Sequence, residues 1–482
     1  MATYRPPQTT VEVYDNPMII NTAGNVKIPA IVGLGPTVLQ VEDVAVVRRT
    51  GNIDILPDSD KTILSITKVS QTPNIASGSL AYKLISLGGA LYDISKISIS
   101  NPGAVQWASG TDVPNVGEVY YISYTYAAPP EQFDPKIYYD KESILRDKGP
   151  ENTSTGILSI AGSIVLENGS PGVMLVQASG STYSEVAYKA AIDKLQKKDN
   201  ISYIVCVFPS GSVTKAQQES LINYAHTHVI IMNNSGKERG IISGSPSPYT
   251  ASDGFDSIGD ISTPNTYCYR ANSIKNKHHT YVVPSYATRS DALGNVMKLD
   301  GNYIAAALAG LRSAQPKRST PVHGFVLTGF SIVDEKWNDM EMNRLGAASC
   351  CVIQSKSGIV TVRDDITTDP TSADTQEPSV VDVQRLVKET LRKGLNDVFS
   401  NKGKVINSTT VNDVVAVTTS LLQSLVRAQE ISAYGKIDNP LTGETKVSAK
   451  QNAQEPRQID VSCSYKPLYP LKWINVTVNV YI

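Results

Sequence analysis

Histidine, cysteine, serine and paired carboxylates are the side chains here that could do chemistry, and their spacing argues against it. Four of the five histidines fall in two clusters, His226 with His228 and His278 with His279. Neither cluster has a cysteine or carboxylate at metal-ligand spacing, so both read as satisfied or solvated side chains. The five cysteines, Cys206, Cys268, Cys350, Cys351 and Cys463, are odd in number and none lies in a CxxC pair. A zinc site and a disulfide framework are therefore not expected, and adjacent Cys350 and Cys351 read as two buried thiols. Ser243-Gly244-Ser245 lacks the G-x-S-x-G frame of a nucleophile elbow. Arg363-Asp364-Asp365 reads as a solvated strand end, because a catalytic carboxylate pair needs a pocket and opposed environments. Gly33-Leu34-Gly35 lacks the third glycine and the following helix of a phosphate cradle. The expected sets of catalytic, cofactor-binding and metal-binding residues are all empty, and no cofactor is expected.

Composition points the same way. The 482 residues carry 44 Lys+Arg against 45 Asp+Glu, a net charge of −1, which excludes the basic excess of a nucleic-acid-coating protein. Charged residues are only 18% of the chain, below the usual share of about 25%, while 41% are hydrophobic. A chain so poor in charge suits surfaces that end up against neighbours. No apolar run reaches the roughly 20 residues a bilayer needs, and the first residues lack the pattern of a secretory signal. Synthesis in a cytoplasm without stable membrane insertion is expected.

The elements that would carry these residues divide the chain. Residues 1–35 read as an N-terminal arm, with Val11-Glu12-Val13-Tyr14 as a short strand, followed by a buried opening strand. Residues 48–130 read as a β-rich insertion, closed by Pro129-Pro130. Residues 150–366 alternate strands and helices, which argues for an α/β sheet covered on its faces. Within them 201–208, 228–232, 280–284 and 324–328 read as strands. Residues 184–197 read as a helix with Val186, Ala190 and Leu195 inward, and 215–225 as another. The helix 302–314 is rich in Ala and Gly, which predicts crowded packing. After an acidic linker, residues 379–482 read as α+β. Ser379 with Asp382, and Thr410 with Asp413, are the expected helix starts. The first of these helices has an apolar stripe, and its other face carries Arg385, Lys388, Arg392 and Lys393. The chain ends in strict alternation, with Ile474, Val476, Val478, Val480 and Ile482 on one face. Eleven residues of such a strand reach roughly 36 Å, enough to lie across a neighbour.

Several stretches together resemble the tail sheath proteins of contractile bacteriophages. They are IPAIVGLGP (28–36), LSIAGSIVLENG (158–169), KERGIISG (237–244), NYIAAALAGL (302–311), EMNRLGAASCCV (341–352), IVTVRDDIT (359–367) and PLYPLKWINVTVNVYI (467–482). Residues 48–130 match least, and in that family such regions are outward-facing insertions. The resemblance implies a structural subunit that forms stacked hexameric rings around a tail tube and shortens to drive the tube through a host envelope. It implies a subtilisin-like, non-catalytic central domain and a C-terminal domain completed by arm strands. The 11–14 and 474–482 strands would then pair between subunits, and Arg385, Lys388, Arg392 and Lys393 are candidates to face the tube. Implied partners are copies of the same chain, the tail tube protein, and baseplate and tail terminator proteins, in a virion tail assembled in the host cytoplasm. The other readings are a baseplate or surface adhesin, drawn from the Tyr-rich insertion, and a hydrolase in the α/β domain.

Overall fold

A computed structural model describes residues 27–470, apart from 58–59, 73–90, 101, 110–112, 210, 212, 246–257, 291–295, 334–336, 357, 400–404, 435–446 and 455–456. The arm strand Val11–Tyr14 and the closing strand Ile474–Ile482 lie outside the described residues.

The body is a mixed α/β unit built on one large sheet. Its first strand, β1 (Ile28–Leu34), is buried at all seven positions. The insertion follows: β2 (Val38–Val47), β3 (Ile53–Ile55), β4 (Ile63–Ser70), β5 (Ile97–Ser100), β6 (Ala104–Trp107) and β7 (Val119–Ala127). The chain then returns to the body with β8 (Lys136–Tyr138), α1 (Lys141–Lys148), α2 (Ile157–Glu167), β9 (Val173–Ala178), α3 (Glu185–Asp193), β10 (Ile201–Cys206), α4 (Lys215–Asn234) and β11 (Gly240–Gly244). It continues through α5 (Tyr267–Ile274), β12 (His279–Val283), a hairpin of β13 (Tyr286–Ser290) and β14 (Val296–Asp300), α6 (Gly301–Ala314), β15 (Ile332–Val333), α7 (Asp339–Ala347), β16 (Cys351–Lys356) and β17 (Ile359–Asp364). A short α8 (Ala373–Gln376) leads to α9 (Pro378–Phe399), α10 (Ser408–Arg427), β18 (Ile431–Tyr434), β19 (Val447–Gln451), β20 (Ile459–Cys463) and β21 (Tyr465–Pro467).

The large sheet runs β17-β16-β12-β11-β10-β1-β9-β8, with the inner strands parallel and both edge strands antiparallel. Every residue of β1, β9, β10, β11 and β12 is buried. Continuous apolar runs are what strands covered on both faces require. Helices α2 and α6 pack together over β1 and its neighbours, and α3 packs with α4. The opening strand therefore sits between β9 and β10 in the middle of the body's sheet.

The crowding expected of α6 is real. A side chain at Gly310 would place its Cβ 2.5 Å from the carbonyl oxygen of Val165, so α2 and α6 touch backbone to side. The ENG turn closes α2 through three different contacts. Asn168 donates to the Thr328 carbonyl at 3.1 Å and accepts from the Thr328 amide at 3.0 Å. Glu167 pairs with Arg289 at 2.7 Å, and Gly169 takes a positive φ of 84° that suits glycine.

Five local expectations are corrected. Residues 324–328 are not a strand: only Val326 forms a bridge, to Thr361 of β17. Residues 228–232 are the last turns of α4, not a strand. Thr214 and Gln217 form its capping box, and Leu221, Ile222, Ala225, His228, Val229 and Met232 are buried at helical spacing, which overrides the β-branched run. In α3, Val186 is 79% exposed, and Tyr188, Ala191 and Ile192 turn inward instead. Asp365 is not solvated: it is buried and bonded to buried Arg312. The C-terminal helices start elsewhere than expected. Proline opens α9, a residue suited to the first helical position, which leaves the buried Ser379 hydroxyl without a partner. Asn407 caps α10 by accepting from the Thr410 amide at 2.8 Å.

The insertion forms two three-stranded sheets, β2-β7-β4 and β3-β6-β5, over a core separate from that of the body. Asp54 is its buried hub, accepting from Trp107 at 3.0 Å and Tyr120 at 2.9 Å and pairing with Arg48. The Trp107 ring meets Tyr92 and Tyr120 edge-on at 5.8 and 5.3 Å. The two crossings to the body lie side by side, with Ala128 donating to the Thr37 carbonyl at 2.9 Å.

Candidate functional site

Among the described residues no group of three or more His, Cys, Asp or Glu is arranged to hold a metal ion. One contact has the elements of nucleophilic chemistry. His279 Nε2 is 2.7 Å from Ser243 Oγ, and its Nδ1 is 3.2 Å from His226 Nδ1. The third member is a histidine, not a carboxylate, and Ser243 and His279 are 2% and 0% exposed. A nucleophile sealed between β11 and β12 cannot meet a substrate. The cluster joins two strands to α4 and leaves His279 neutral.

These histidines make stability depend on pH. Burial first, then the nearby Arg239, pulls His228 down to about 4, and burial with His226 and Arg270 holds His279 well below its usual range. In the unfolded chain both titrate near 6.5, so acidification between pH 6.5 and 4 protonates the unfolded state first and stability falls. From pH 7 to 5 each fully buried histidine removes about 2 kcal/mol. Asp300, the buried cap of α6, works in the opposite direction. Burial raises it to about 7, so the folded state gains a proton on acidification and recovers about 2 kcal/mol. Burial shifts His226 and His278 in the same direction, so the expected net loss is at least about 2 kcal/mol, and it grows by about 2 kcal/mol more in Asp300→Asn. Urea unfolding at pH 7 and pH 5 measures both. A stability unchanged over that interval in Asp300→Asn would contradict neutral burial of the histidines.

The surface with assembly chemistry is the C-terminal unit. Its core of Val383, Val387, Leu422, Leu425, Ile431 and Val447 is its own, separate from the core of the body. Two antiparallel ribbons, β18–β21 and β19–β20, both pack on α10. Among the described residues each of these strands pairs with one other strand, and the edge of a two-stranded ribbon is a surface that an added strand can extend.

Helix α9 meets the body through charges. Asp382 pairs with Arg385 at 2.5 Å and accepts from the Tyr203 hydroxyl of β10. The Arg385 guanidinium lies 5.6 Å from the Tyr203 ring centroid, and its Nε is 3.3 Å from His278 Nδ1. Burial, then the charges of Arg385, Lys277 and Lys388, pushes His278 down to about 2. A Cβ at Gly240 would come within 2.9 Å of the Arg385 guanidinium and the Tyr203 ring, which explains the glycine of KERG. Arg392 donates to the Gly236 carbonyl at 2.7 Å and reaches Glu238 at 3.4 Å.

The cationic face of α9 is therefore largely spent within the chain. Arg385, 8% exposed, is buried against β10, whereas Arg392 is bonded to the 236–238 turn and keeps 41% of its side chain exposed. The physical reason is the aromatic and carboxylate lining of the body, which offers each cation a partner. Lys388 and Lys393 are exposed. Sequence reasoning missed Lys27, Tyr203 and Glu238, although KERGIISG contains the last of these.

No family model matches the chain. A curated relative, the tail sheath protein of Mycobacterium phage Bxz1, is 26% identical over 372 residues, covering 76% of this chain. The chain spans 59% of that relative's length. The helical sheath of the anti-feeding prophage in its contracted state has the same fold at a TM-score of 0.52 and 11% identity, over 94% of this chain and 93% of that one. The contracted sheath complex of the PVC extracellular contractile injection system aligns at a TM-score of 0.51 and 13% identity, over 72% of this chain and 87% of that one. The resemblance to contractile tail sheath proteins carried by the motifs is thus present across the fold as well.

Proposed function

We propose that the chain is the structural subunit of a contractile phage tail sheath. Copies stack as hexameric rings around a tail tube and shorten to drive the tube through a host envelope. The tube, the baseplate and the tail terminator are its other partners, and assembly takes place in the bacterial cytoplasm before the particle is complete. The central domain is a non-catalytic scaffold of subtilisin-like type, and the insertion faces outward. The observation that carries this reading is the C-terminal unit, with two two-stranded ribbons on one helix whose edges suit pairing with the strand-like arm sequences 11–14 and 474–482. Backbone pairing can hold subunits together while rigid bodies turn. Of the four cations considered for the tube, the exposed Lys388, Arg392 and Lys393 remain candidates.

Val478→Pro tests the arm. Proline removes a backbone donor and clashes within a central pairing. The expected result is a folded, soluble monomer whose melting transition stays within a few degrees of the parent, and no tubes in negative stain. A monomer that loses stability would place the strand inside its own domain instead. Ordinary tubes from the variant would remove the strand from assembly altogether.

A further inference from the structure

Lys27 is the first described residue, immediately before the central strand β1, and residues 1–26, read from the sequence as an arm, precede it. It is 9% exposed. Its Nζ donates to the Glu238 carbonyl oxygen at 2.6 Å and pairs with Glu389 Oε2 of α9 at 2.7 Å. A lysine at the start of a central strand thus spends its charge on the C-terminal helix.

The surroundings show a joint rather than a fused core. Lys27, Glu238 and Glu389 line a cavity of about 60 Å³, large enough to be hydrated and too small for a partner. Lys27 and Glu389 also line a neighbouring groove of about 390 Å³ with Asn200, Gly236 and Arg392. Glu238 Oε2 is buried with no hydrogen-bond partner, so the polar packing here is incomplete. The apolar clusters of body and C-terminal unit do not merge across this boundary. Polar, partly hydrated boundaries of this kind permit relative motion of the two sides.

We propose that Lys27 is a clamp tying the root of the N-terminal arm to helix α9, so that a pull on the arm by a neighbouring copy is passed to the C-terminal unit. The pull rests on the sheath reading, while the clamp itself does not. A displaced arm root would draw Lys27 from Glu389 and release one of the ion pairs that hold α9 against the 236–238 turn.

Hydrogen exchange of the full chain tests this, with Lys27→Met and Glu389→Gln as variants. Removing the clamp should speed exchange across residues 386–399 about tenfold and leave 173–178 and 201–206 unchanged. If Lys27→Met loosens the whole sheet, Glu389→Gln decides, because it keeps the shape of the contact and removes its charge. An effect of Glu389→Gln confined to 386–399 supports the clamp, and a global effect or none overturns it. Unchanged exchange at 386–399 in both variants also overturns it. Tube formation by the unaltered chain is scored separately: its absence refutes the sheath reading and leaves the exchange result standing.

Discussion

Gly244→Ala should lower stability by more than about 4 kcal/mol, enough to leave most of the chain insoluble or unfolded. Gly244 ends β11, and an alanine Cβ there would lie 1.8 Å from the carbonyl carbon of Gly301 and 2.2 Å from the Asn302 amide nitrogen. Both neighbours are backbone, at the first turn of α6, and neither can swing aside as a side chain can. The same spot is bonded twice, with Gly244 donating to Asn302 Oδ1 at 3.0 Å and Gly301 donating to the Ser245 carbonyl at 3.2 Å. To admit a methyl group, α6 must leave the sheet, and with it the contact to α2 at Gly310. Gly346→Ala is the control. Its nearest neighbour would be the Asp364 carboxylate at 3.2 Å, a side chain able to move, and the change should stay within about 1 kcal/mol. Urea midpoints of the two variants should differ widely. Equal midpoints would mean that α6 does not abut β11.

Arg312→Met should cost about 3–5 kcal/mol, the usual result of stranding one member of a buried ion pair. Arg312 and Asp365 are 6% and 4% exposed, and Arg312 also donates to Thr280 Oγ1 at 3.0 Å. Methionine fills most of the space and leaves a carboxylate in the core with no cation. Arg312→Met with Asp365→Leu should recover most of the loss, because the desolvation penalty disappears with the second charge. The check is urea unfolding of both variants against the parent. A double variant no more stable than the single one would show that packing, not charge, holds this corner.

Legibility in the sequence followed the range of the forces involved. The sheet strands were readable because burial on both faces leaves an uninterrupted apolar run, as in Ile28–Leu34 and Ile201–Cys206. Small residues in 302–314 announced the close helix crossing that Gly310 makes with Val165. Helix starts were misread where two cap candidates compete within one turn, as with Asn407 against Thr410, since both are chemically fit. The end of α4 was misread because a β-branched run mimics a strand, whereas its partners at helical spacing lie earlier in the chain. Least legible were the long-range pairs. Lys27 and Glu389 are far apart in sequence, and nothing in either neighbourhood names the other. The cations of α9 were visible, but the partners that take Arg385 and Arg392, at the Tyr203 ring, His278 and Glu238, belong to strands and turns whose folded position no local pattern gives.

The central claim is assembly through strand exchange, and a cryo-EM helical reconstruction of the purified chain tests it most directly. The account expects hollow tubes with six subunits per ring, and density for strands of neighbouring copies along the edges of β18–β21 and β19–β20. Monodisperse monomers or compact trimers, or tubes in which those edges stay bare, would contradict it.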